Sequence, residues 1–124
     1  MFKKTYLRVV LWLDDIKDPK IYRKPCGNSL CERVIWCKSV NEAIATYSLW
    51  GSNLDDDDIR VTEIDMDHDA GDYAKDGGDF IKFLDWMEVH HPKAFTKIAW
   101  KIHSFNPVGA ENMTRILRRN GVAI

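Results

Sequence analysis

Leu7 to Leu13 is a nearly unbroken apolar run, rich in valine and leucine, that stops on two acids, Asp14 and Asp15. A strand with one wet face alternates apolar and polar residues, whereas one that is apolar throughout is buried on both faces, as in parallel sheets covered by helices. The run therefore predicts a central strand. Ile59 to Asp67 reads as another strand, passing from Ile64 into Asp65, Asp67, His68 and Asp69, and Lys97 to His103 as a further one, with Ile98, Trp100 and Ile102 alternating before His103, Ser104 and Asn106. All three change from apolar to reactive at their carboxyl ends. In an open parallel sheet the ligand crevice lies outside those ends, so the three are expected to converge.

Helical patterns separate the strands. After a short strand over Arg33 to Lys38, Ser39 and Glu42 stand at capping-box spacing, and Val40, Ala43, Ile44 and Tyr47 form an apolar stripe that Gly51 closes. Asp79 to His91 carries Phe80, Phe83, Leu84 and Met87 at helical spacing, with Pro92 as its stop. Ala110 to Arg119 places Met113, Ile116 and Leu117 on one face before Asn120 and Gly121. Ile16 to Glu32, with Pro19, Pro25, Gly27 and Asn28, reads as an irregular excursion able to cover the crevice, and Tyr73 to Gly78 as a loop. Val122 to Ile124 is open to a stub of strand. This alternation predicts an α/β fold on a mainly parallel sheet of four to five strands, as a single domain over 1–124.

A net charge of -1 with interspersed signs excludes an extended nucleic-acid-binding surface but leaves room for a small charged ligand. The basic start, Met1 to Tyr6, leads into an apolar run that the acids cut short, which suits neither a signal peptide nor a membrane span and points to the cytoplasm. Cys26, Cys31 and Cys37 make no disulfide framework, and zinc at Cys26 and Cys31 lacks a second ligand pair. The acids Asp55 to Asp58 lack the spaced ligands of a calcium loop and read as a solvated turn.

The chemistry sits at the strand ends. Crowded carboxylates repel, which raises a pKa or calls for a cation; Asp14, Asp15 and Asp67 suit Mg²⁺ or Mn²⁺, or else cap a loop or pair with Lys75 or Arg23. His90 and His91, at the end of a helix, read as solvent-facing. His68 and His103, each at a strand terminus, read as a candidate proton-exchanging pair beside Asp67. After His103 the chain passes Ser104, Asn106, Pro107 and Gly109 into a helix, and helix amino termini favour anions. Singly, Ser104, Asn106, Gly109 and Asn112 are turn or cap residues; together they describe a phosphate cradle.

Leu11 to Asp15, Asp65 to Gly71, Gly77 to Leu84 and His103 to Met113 resemble, in this order, the cyclic-phosphate-processing receiver-like family, an offshoot of the response-regulator receiver fold found largely in bacteria and phages. The resemblance implies a flavodoxin-like three-layer sandwich acting on cyclic phosphates of nucleotides or RNA ends, with the acidic pocket at Asp14, Asp15 and Asp67, the histidines at His68 and His103, and the phosphate turn at Asn106, Gly109 and Asn112. Signalling receivers end their last strand on Lys-Pro, which this chain lacks, and Ala70 stands where the family commonly has a larger aliphatic residue. Three functions are thus expected in competition: a phosphoesterase for a small cyclic phosphate or an RNA end, a non-catalytic nucleotide- or protein-binding module, and a degenerate phosphoacceptor receiver.

Overall fold

The computed structural model describes residues 7–23, 32–51 and 59–124. Four strands, β1 (Leu7–Leu13), β2 (Glu32–Cys37), β3 (Ile59–Met66) and β4 (Ala99–Ile102), form one all-parallel sheet in the order β2-β1-β3-β4. The long apolar run does lie in the middle. Four α-helices alternate with the strands: α1 (Pro19–Tyr22), α2 (Val40–Trp50), α3 (Ile81–His90) and α4 (Pro107–Arg119). This is the parallel α/β architecture expected from the alternation, and the receiver-like, flavodoxin-like one that the resemblance implies.

One sheet face carries Val9, Leu11 and Leu13 of β1, Cys37 of β2, and Val61, Ile64 and Met66 of β3, all buried in one hydrophobic cluster with side chains of α2, α3 and α4. Burial pushes the Cys37 thiol up to about 12, which fits a packing role. The other face carries the buried Val10 and Trp12, and Trp12 Nε1 donates to the Lys17 carbonyl beyond β1. Arg23 at the end of α1 bonds Glu32 of β2 and Glu63 of β3, so one guanidinium spans the central strand.

Alternation along β3 is interrupted. Val9 is level with Val61, but Val10 is level with Glu63, so Thr62 is an extra residue. Above this bulge the phase reverses, turning Ile64 and Met66 into the core and Glu63 and Asp65 to the opposite face with Trp12.

Several boundaries differ from expectation. The excursion after β1 contains α1, started by Asp18 accepting from the Lys20 N–H. Gly71–Lys75 and Pro92–Lys97 are 3₁₀ turns, the latter shortening the strand expected from Lys97. The third long helix begins at Pro107, three residues before the expected Ala110, because Asn106 caps it and proline is well suited to a first helical position. Val122 to Ile124 forms no strand; the Val122 N–H bonds Leu117 as part of the α4 stop. His91 is not simply solvent-facing, since its ring lies against Tyr47 and Trp86 and burial lowers its pKa. The readings of Met1 to Tyr6, of Cys26 and Cys31 and of Asp55 to Asp58 fall outside the described residues.

Candidate functional site

Parallel pairing brings the carboxyl ends of β1, β3 and β4 side by side, with Leu13 level with Met66 and Met66 level with Ile102. The residue after each strand therefore projects over the same end of the sheet. Asp14, Asp15 and Asp67 meet there, each with a carboxylate oxygen within 4.8 Å of the others. They border a cavity of about 300 Å³ whose wall also includes Lys17, Asp69 and Asn106.

The three acids are held differently. Asp14, only 1 % exposed, accepts from the Ile16 and Lys17 N–H groups through Oδ1, both at 2.9 Å, and from His103 through Oδ2 at 2.9 Å. Burial works to raise its carboxyl, but these bonds outweigh it and hold the group below the usual carboxylate range. Asp15 goes the other way. Burial, joined by the charges of Asp14, Asp67 and Asp69, pushes it up. Its Oδ2 lies 2.3 Å from where a Cβ at Gly71 would stand, and Gly71 has a φ of +53°, so both space and backbone conformation demand glycine there. Asp67 Oδ1 accepts from the His68 N–H at 2.7 Å. An all-oxygen donor set under mutual repulsion fits a hard divalent cation. His68, Asp69 and Asp79 form a second cluster at ligand spacing, with an imidazole nitrogen among its donors, although one Asp79 oxygen already accepts from the Ala70 N–H.

His103 is clamped. Its Nδ1 bonds Asp65 Oδ1 at 2.6 Å, its Nε2 bonds Asp14, and its ring stacks on Trp12 with centroids 4.1 Å apart and planes 9° apart. Burial would lower its pKa, but the two carboxylates win and raise it to about 9. At neutral pH it is an imidazolium donating both protons to fixed acceptors, with its side chain 20 % exposed. Neither nitrogen is open to a substrate in this arrangement.

His68 is placed differently. Its Nδ1 bonds Asp69 Oδ1 at 2.7 Å, its side chain is 14 % exposed, and its neighbours Asp67 and Asp69 line the hollow while the ring itself does not. The hydrogen bond to His68 holds Asp69 below the usual carboxylate range. The ring packs on the first turn of α4; a Cβ at Gly109 would stand 2.4 Å from His68 Cγ. Gly109 thus serves close approach of an imidazole. The expected anion cradle is thinner than its sequence suggests. Pro107 has no N–H, and the N–H groups of Gly109 and Ala110 go to the side chain and carbonyl of Asn106, leaving that of Val108 in this turn. Ser104 accepts from the Asn106 N–H, and Asn112 is exposed on α4 beyond the turn. Arg23 pairs with Glu32 and Glu63 and with none of the three pocket acids. Two residues absent from the sequence-level site, Asp65 and Trp12, hold His103 from below.

A parallel α/β sheet with an acid-lined hollow at its strand ends defines a receiver-like domain. The family described as the Cyclic-phosphate processing Receiver domain matches residues 9–119, and the chain belongs to it. No curated protein and no solved structure matches the chain. No helix among the described residues is long and apolar enough to cross a membrane.

Proposed function

We propose that the chain is a phosphoesterase that opens a cyclic phosphodiester, either a cyclic nucleotide or a 2′,3′-cyclic RNA end, in the acidic hollow. The observation that carries this reading is the meeting of Asp14, Asp15 and Asp67 within 4.8 Å, beside Asn106, the cap of α4, and the His103 ring, which bonds Asp14. In the reaction a water oxygen bonds phosphorus and gives up a proton, the ester P–O bond breaks, and the departing oxygen takes a proton. His68, its ring fixed by Asp69, is the imidazole that takes the proton from water and returns one to the departing oxygen. At neutral pH His103 contributes a positive charge that keeps Asp14 ionised and in place. Lys17, which lines the hollow, supplies the cation for negative charge that develops on the phosphoryl oxygens. Asp14, Asp15 and Asp67 are the residues that would hold Mg²⁺ or Mn²⁺, and when bound such an ion polarises a phosphoryl oxygen.

The test is incubation with cyclic mononucleotides, cyclic dinucleotides and 2′,3′-cyclic RNA ends, with Mg²⁺ or Mn²⁺ and with chelator, read by mass spectrometry. Ring-opened product is expected, with His68→Ala slower by roughly a hundredfold or more. No product from any compound would sink the proposal. A second reading, a binding module without turnover, is favoured by the engagement of both His103 nitrogens, which leaves one imidazole where two were expected. Tight binding with intact ligand recovered after denaturation would select it.

A further inference from the structure

The rim of the acidic hollow turns abruptly apolar. Ile16, Ile21, Tyr22, Phe105 and Val108, all large and exposed, lie on the two segments that flank it. Phe105 is the extreme, 90 % exposed, and a cluster of bare apolar groups beside a charged site marks a binding surface. The Lys17 ammonium lies 4.1 Å from the Phe105 ring centroid and 6.0 Å from that of Tyr22. A second cavity, of about 370 Å³, opens between Trp12, Lys17, Tyr22, His103 and Phe105. Lys17 and Phe105 line both cavities, so the two adjoin at this pair. The backbone that carries Lys17 is fixed, its carbonyl accepting from Trp12 Nε1 at 2.7 Å and its N–H donating to Asp14.

We infer that this second cavity is a base subsite, in which a nucleobase stacks on Phe105 beside Tyr22 while its phosphate reaches past Lys17 into the acidic hollow. The inference rests on the proposed action on a phosphate ester and narrows its substrate to nucleotides. Flat rings offer their faces to a planar partner, and stacking of this kind accepts any base. A cation shared between ring and hollow pairs with a phosphate, whereas an aliphatic ligand gains nothing from it. Because the hollow itself is crowded with carboxylates, a phosphate without a base has Lys17 and little else to hold it there.

The test compares equilibrium binding of 2′,3′-cyclic AMP with that of 1,2-cyclic glycerol phosphate, which has no base, by calorimetric titration of the wild type, Phe105→Ala and Phe105→Trp. The wild type is expected to prefer the nucleotide at least tenfold, Phe105→Ala to lose most of that preference, and Phe105→Trp to keep it. The ring is exposed, so the fold survives its removal, which a melting curve checks. Equal binding of the two compounds by the wild type, or a preference unchanged in Phe105→Ala, overturns the base subsite. Since binding is read, the result stands apart from turnover: ring opening of both compounds without preference would leave the phosphoesterase reading intact and remove this one.

Discussion

His103 shows how far a residue's neighbours reset its chemistry. An isolated imidazole titrates near 6.5, but between Asp14 and Asp65 it holds its proton to about 9. Its folded pKa is raised above the unfolded one, so its contribution to stability is complete below about 6.5 and disappears as pH rises through about 9. Urea unfolding in chelator should therefore show a fall on the order of 2 kcal/mol across that window, and His103→Gln should flatten it. Asp15 is set the opposite way by burial and by Asp14, Asp67 and Asp69. Asp15→Asn should raise the metal-free melting temperature and abolish any stabilisation by Mg²⁺, both read by scanning fluorimetry. The acids at 14, 15 and 67 were legible because a buried strand has no packing reason to end on charge. Asp65 was not, since its partner stands thirty-eight positions away and only the sheet brings them together.

Among the elements, α4 carries the most information about the site. Alanine in place of glycine ordinarily favours a helix by about 1 kcal/mol, yet at Gly109 the new Cβ meets the His68 ring. Gly109→Ala should therefore destabilise the protein and displace the His68 imidazole resonances in NMR. In a Gly109→Ala, His68→Ala double variant, urea unfolding should show less than the sum of the two losses, because the collision is gone. The start of this helix escaped sequence reading because Asn106-Pro107 serves equally as a turn and as a cap followed by a first helical residue. For α2 no such ambiguity arose: Ser39 caps the Glu42 N–H as its spacing foretold. Glycine after His103 signals a tight spot, but nothing in the local sequence names the ring that fills it.

Over the whole molecule, the second sheet face is closed by charge as much as by apolar packing. Arg23 bonds Glu32 and Glu63, all three side chains being largely buried, while Lys101 reaches Glu63 from the side at 3.4 Å. Arg23→Met leaves two buried carboxylates facing each other, and should cost about 3 kcal/mol or more in urea unfolding. A parallel sheet with Leu7 to Leu13 inside it was readable from the alternation of apolar runs, whereas this ionic closure was not, because Arg23 lies in the excursion that lacks a period. The extra residue at Thr62 is what lets one strand serve both faces. Deleting it would work like a frameshift in space: the order of residues would survive, but Asp65 would trade places with its hydrophobic neighbours, and the clamp on His103 would vanish without any of its members having been replaced.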